Sequence, residues 1–124
     1  MPYIHVFLNK QYSSQKKEKL MHSLSHATAQ SLGASPASVR VKLIPLDSLD
    51  TMVAGVVGVE IAEVYVYLMA GRSTEQKEAL FRAINIAVQD SLEVAPDLSR
   101  TVIQDVATID LGLAGGLSAK QSGY

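Results

Sequence analysis

The sequence predicts an α+β fold in which two tandem β-α-β units form a four-stranded sheet with two helices on one face. Three observations carry this. The chain repeats itself at an offset of 60 residues. Each copy opens on a run that alternates every second residue, and each continues with apolar residues at helical spacing. Shifted without gaps, the copies match at Val6/Val66, Leu8/Leu68, Ser13/Ser73, Lys17-Glu18/Lys77-Glu78 and Leu20/Leu80. The register continues through Ala27/Ala87, Ser31-Leu32/Ser91-Leu92, Pro36/Pro96 and Arg40/Arg100, giving eleven identities within residues 2–46. The chain thus reads as a single domain, residues 1–124, made of two repeats of about 2–61 and 62–121.

Each repeat justifies its elements in the same order. Ile4 to Leu8 and Val64 to Leu68 are β-rich and alternating, which predicts short strands. Residues 14–32 and 74–92 are predicted helices. Leu20, Leu24, Ala27 and Ser31 line one face of the first; Leu80, Ile84, Ala87 and Ser91 line the second. Ser73-Thr74-Glu75-Gln76 is a capping box at the second helix start. Gly33 and Pro36, then Pro96, end the helices before strands at Val39 to Ile44 and Thr101 to Val106. A crossover helix makes the two strands of a unit parallel and covers one sheet face. Ile4, Val6 and Leu8, with Val64, Val66 and Leu68, alternate with Tyr3, His5 and Phe7, and with Tyr65 and Tyr67. Both faces of these strands thus read as largely apolar while helices cover only one, which predicts self-association.

Composition narrows the function classes. In 124 residues, 48% are hydrophobic and 19% charged, which excludes a disordered chain. A net charge of −1, no Trp and two Phe argue against a nucleic-acid partner. The absence of Cys removes disulfides, thiolate nucleophiles and Cys-based metal sites. Met1 to Val6 lacks the pattern of a signal peptide. Thr51 to Gly71 approaches a membrane-spanning length, but Glu60, Glu63 and the alternation around Tyr65 and Tyr67 read as a strand. A cytoplasmic location with no membrane partner is expected.

The chemistry centres on Pro2. Loss of the initiator methionine would turn it into a free secondary amine. An apolar setting and nearby cations would keep that amine neutral, able to act as a general base. Of four arginines, Arg82 lies mid-helix and reads as solvated. Arg72 falls between a strand end and a helix start, where guanidinium and helix amides together suit a carboxylate. Arg40 and Arg100 hold matching places at the start of each repeat's last strand. Antiparallel pairing of the two first strands about a pseudo-twofold axis sets Pro2 beside Arg72 and away from Tyr12. The repeat partners of Pro2 and Arg72 are Ala62 and Tyr12, so one complete site per chain is expected.

On these residues the chain resembles the tautomerase superfamily. Gly71-Arg72-Ser73-Thr74-Glu75-Gln76-Lys77-Glu78, with Leu80, is similar to the segment after the first strand of 4-oxalocrotonate tautomerase. The chain length and the placing of Ala70-Gly71-Arg72-Ser73 resemble 5-carboxymethyl-2-hydroxymuconate isomerase. The resemblance implies a tautomerase/MIF-like fold, a homotrimer and a cofactor-free keto–enol isomerase acting on a small carboxylated enol or 2-oxo acid. It implies Pro2 as the proton shuttle, Arg72 as the carboxylate holder, and Arg40 or Arg100 from a neighbouring unit polarising the 2-oxo group. The family's substrate-facing aromatic residue falls on Leu111, before Gly112-Leu113-Ala114-Gly115-Gly116, a predicted hairpin. Decarboxylases, hydratases and dehalogenases share the scaffold, as do non-catalytic cytokine-like or structural trimers. The decarboxylase's second arginine corresponds to Ala70. His22 and His26 have i, i+4 spacing without a third ligand nearby, so no metal site is expected. Lys16, Lys17 and Lys19 read as a solvated patch.

Overall fold

A computed structural model describes residues 1–124. Strand β1 (Tyr3–Leu8) leads into helix α1 (Ser14–Leu32) and strand β2 (Arg40–Pro45). A short hairpin of β3 (Met52–Val53) and β4 (Val56–Val57) follows. The second repeat is β5 (Ala62–Met69), helix α2 (Thr74–Leu92) and β6 (Ser99–Val106). The main sheet runs β2-β1-β5-β6, parallel within each repeat and antiparallel across the β1–β5 seam. The seam pairs Tyr3 with Tyr67 and Leu8 with Ala62. This is the predicted α+β architecture, and the two repeats obey one register: Tyr3 pairs with Arg40 as Glu63 pairs with Arg100.

Local chemistry sets the helix limits. The Ser13 hydroxyl accepts from the Lys16 N–H at 3.2 Å. Ser73 and Gln76 close a reciprocal capping box, with bonds of 3.1 and 3.0 Å. Gly33 ends α1 at φ 61° in the left-handed region, but α2 ends there on Glu93, at φ 57°.

Ile4, Val6 and Leu8 point to the helices with Ala62, Val64, Val66 and Leu68, forming a buried cluster with Leu20, Leu24, Leu80 and Ile84. On α2 the predicted face is buried. On α1 it differs: Thr28 and Ala29 are buried beside Leu20, Leu24 and Leu32, and Ala27 and Ser31 are only half-buried. Thr28 tolerates burial because its hydroxyl donates to the Leu24 carbonyl at 2.7 Å.

Two further expectations are corrected. The helix-free face is mixed rather than largely apolar. The ladder sets Arg40, Lys42, Glu63, Arg100 and Gln104 among the aromatic residues Tyr3, His5, Phe7, Tyr65 and Tyr67. Between β2 and β5 the sequence reading had no element, yet the β3–β4 hairpin turns through Ala54 and Gly55, both at positive φ. Its Met52 and Val56 are more than half exposed, at 63% and 56%. The chain exposes 7417 Å², above the roughly 6,500 Å² expected of a compact monomer of this mass. No helix is long and apolar enough to cross a membrane, and the stretch from Thr51 to Gly71 is the hairpin and β5.

Candidate active site

Pro2 is buried immediately before β1, and its carbonyl accepts the Arg40 N–H at 3.0 Å, extending the β1–β2 ladder by one bond. The helices run antiparallel, so the start of α2 lies at the end of α1. The Arg72 guanidinium, just ahead of α2, donates through Nη1 to the Leu32 carbonyl. That bond satisfies one of the orphan carbonyls of the last α1 turn and fixes the side chain near Pro2. The two residues, 70 positions apart in the chain, line one cavity of about 320 Å³ with Ala34, Met69, Leu113 and Tyr124. The cavity pairs a cation with apolar walls, which suits a small carboxylate carrying a hydrocarbon part.

Electrostatics favour an uncharged amine at this end of the sheet. In the structure Met1 precedes Pro2, whose nitrogen is an amide. The Met1 amino group is held below the ordinary α-amino value, first by burial and then by the positive charge of Arg40.

Within one chain the other predicted site residues lie elsewhere. Arg40 shares the opposite sheet face with Tyr3, His5 and Lys42, around a separate cavity of about 170 Å³. Arg100 pairs with Glu63 at the far end of the β5–β6 ladder. Leu111 is 5% exposed and packs inward, its carbonyl accepting the Ala119 N–H at 2.8 Å. It lies off the Pro2 cavity, whose wall is completed instead by Leu113 and Tyr124. Those two were missed. Leu113 lies within the glycine-rich segment already noted, but nothing local marks Tyr124. Gly112 and Ser118 bridge, so that segment turns back as expected. His22 and His26 are exposed on α1. Lys16 and Lys19 are tied to the end of α2, through Glu93 at 3.3 Å and the Asp90 carbonyl at 3.3 Å.

A 2-hydroxymuconate tautomerase from Stutzerimonas stutzeri is 36% identical over 58 residues, spanning 47% of this chain and 90% of that protein. A fused 4-OT, solved as a symmetric trimer, superposes with a TM-score of 0.95 at 41% identity, over 99% of this chain and 100% of its own. The chain belongs to the tautomerase superfamily. It is an isomerase-type enzyme, and its two repeats are each about as long as the Stutzerimonas tautomerase. Pt0534, a protein solved after inactivation by 2-oxo-3-pentynoate, superposes with a TM-score of 0.94 at 31% identity, over 98% of this tautomerase and 99% of its own chain. No family model matches the sequence.

Proposed function

We propose that this tautomerase moves a proton, without a cofactor, within a small carboxylated enol or 2-oxo acid of the 2-hydroxymuconate type. The observation that carries this is the shared cavity of Pro2 and Arg72. Once Met1 is removed, the neutral Pro2 nitrogen takes the proton of the 2-hydroxyl group. The C2–O bond becomes a carbonyl as electron density moves along the conjugated chain, and the Pro2 ammonium returns a proton to a distant carbon. Arg72 holds a carboxylate and leaves Leu32 to do so. A second arginine, Arg40 or Arg100 of a neighbouring chain, stabilises the charge gathering on the 2-oxygen. The relative named 2-hydroxymuconate tautomerase supports the substrate class.

The working form is a homotrimer. The chain's surplus exposed surface and the trimeric fused 4-OT support it. At 13.3 kDa per chain, light scattering should give about 40 kDa (3 × 13.3); a stable monomer would refute the assembly.

The deciding experiment is turnover of 2-hydroxymuconate and phenylenolpyruvate by the protein and by Pro2→Ala. Loss of a positioned base should cost roughly 10²-fold or more in kcat. Unchanged activity in Pro2→Ala would overturn the assignment. Labelling with 2-oxo-3-pentynoate is an independent check. Its alkyne is conjugated to the 2-oxo group, so the Pro2 amine adds to the far alkyne carbon. The N–C bond forms as one C≡C π bond breaks, and the N–H proton passes to the carbon next to the carbonyl. Intact mass should show one adduct per chain, carried by the N-terminal peptide.

A further inference from the structure

We propose that the first repeat carries a second ligand site, a groove for carboxylates bearing an apolar tail, at the end of β1 remote from Pro2. The cavity there holds about 530 Å³, within the range of small-molecule sites. Leu8, Leu43 and Leu46 give it an apolar wall, and Lys10, Lys17 and Pro45 form its rim. It is larger than the Pro2 cavity and lies apart from it, with no lining residue in common.

The internal repeat provides the comparison that singles it out. At the matching place in the second repeat, Lys77 donates to Asp105 at 2.9 Å, so an ion pair spans from α2 to β6. An offset of 60 places Pro45 where the second repeat has Asp105, and Lys10 where it has Ala70. Lys17 therefore keeps the position of Lys77 without its carboxylate, and a second ammonium is added at the rim. The ion pairs of the chain are Lys16–Glu93 and Lys77–Asp105, and neither involves Lys10 or Lys17. Asp47, the carboxylate on this rim, is engaged by the Leu49 N–H at 2.9 Å, capping a short turn. The Lys10 ammonium lies 5.7 Å from the Tyr12 ring centre, a contact that leaves its charge uncompensated. Two unpaired cations beside three leucines select an anion joined to hydrocarbon. The carboxylate meets the ammonium groups while the tail removes leucine surface from water.

The test is titration of the full chain with octanoate, followed by calorimetry and by backbone amide NMR shifts. Octanoate should shift the amides of Lys10, Lys17 and Leu46. 1-Octanol and inorganic phosphate at equal concentration should leave them in place. Lys17→Gln should weaken binding by about tenfold or more. Pro45→Asp, which restores the second repeat's ion pair, should do the same. Three results would overturn the site. These are shifts confined to the Pro2–Arg72 cavity, phosphate binding as well as octanoate, or a change of oligomeric mass in Lys17→Gln, which would make the groove a subunit contact. None of them depends on whether Pro2 is the base.

Discussion

The Tyr12 phenol donates to a Glu60 carboxylate oxygen at 2.5 Å, filling in the first repeat the place that Arg72 holds in the second. The partner of Pro2 at this pseudo-equivalent position is Ala62, which is buried and has no free amine. The second half-site therefore has neither base nor clamp. Burial, the hydrogen bond to Glu60 and the Glu60 charge all raise the Tyr12 pKa above its ordinary value. Tyr12→Phe should lower the unfolding free energy by about 1 kcal/mol and leave kcat on 2-hydroxymuconate unchanged. A large loss of kcat would mean that this half-site takes part in turnover.

Arg72 faces the Pro2 cavity, and Arg82 is exposed in the middle of α2. Arg72→Ala should reduce kcat/KM by about 2–4 kcal/mol, the scale of a charge-assisted carboxylate contact. It also removes the bond to the Leu32 carbonyl, so circular dichroism should accompany the kinetics. Arg82→Ala should match the parent in both measurements. Equal losses in the two variants would rule out Arg72 as the clamp.

Arg40 pushes the chain's amino group toward its neutral form. The sign follows from its charge: a cation next to an ammonium lowers the ammonium's pKa. If Pro2 inherits that setting, kcat/KM falls as pH drops through a value below the ordinary α-amino range near 8. Arg40→Ala should move this acid limb toward higher pH. Arg82→Ala, at an exposed position in the middle of α2, should leave the limb in place. The pH dependence of kcat/KM measured for both variants is the check.

Glu93 ends α2 in the left-handed region, where α1 has Gly33. A side chain there costs about 1 kcal/mol relative to glycine. The Glu93 carboxylate pairs with Lys16 at 3.3 Å, but the Glu93 side chain is largely exposed and the pair contributes little. Glu93→Gly should therefore raise stability by about 0.5–1 kcal/mol in chemical denaturation at fixed protein concentration. A destabilised variant would show that the ion pair outweighs the backbone strain.

What the sequence determined alone is whatever a local period or the internal repeat encodes. The alternation at Ile4, Val6 and Leu8 sets these three on one side of β1, because a strand has a period of two. The capping box at Ser73 fixes the start of α2, since its side chain bonds the next few amides. The offset of 60 residues predicted that Pro2 and Arg72 would meet, because antiparallel pairing of β1 with β5 brings the start of one against the end of the other. Tertiary structure decided the rest. Which α1 residues are buried depends on how the helix rolls against its neighbours, and this favours Thr28 over Ala27. Leu111 packs inward while Leu113 and Tyr124 reach the cavity, because the path of the tail after β6 follows from long-range bonds such as Lys120 N–H to the Thr108 carbonyl at 3.2 Å and Tyr124 N–H to the Ala119 carbonyl at 3.0 Å. Arg40 and Arg100 share a place in the repeat, yet only Arg40 lies at the Pro2 end. Sequence spacing is the same for both, and the sheet's antiparallel seam alone distinguishes them.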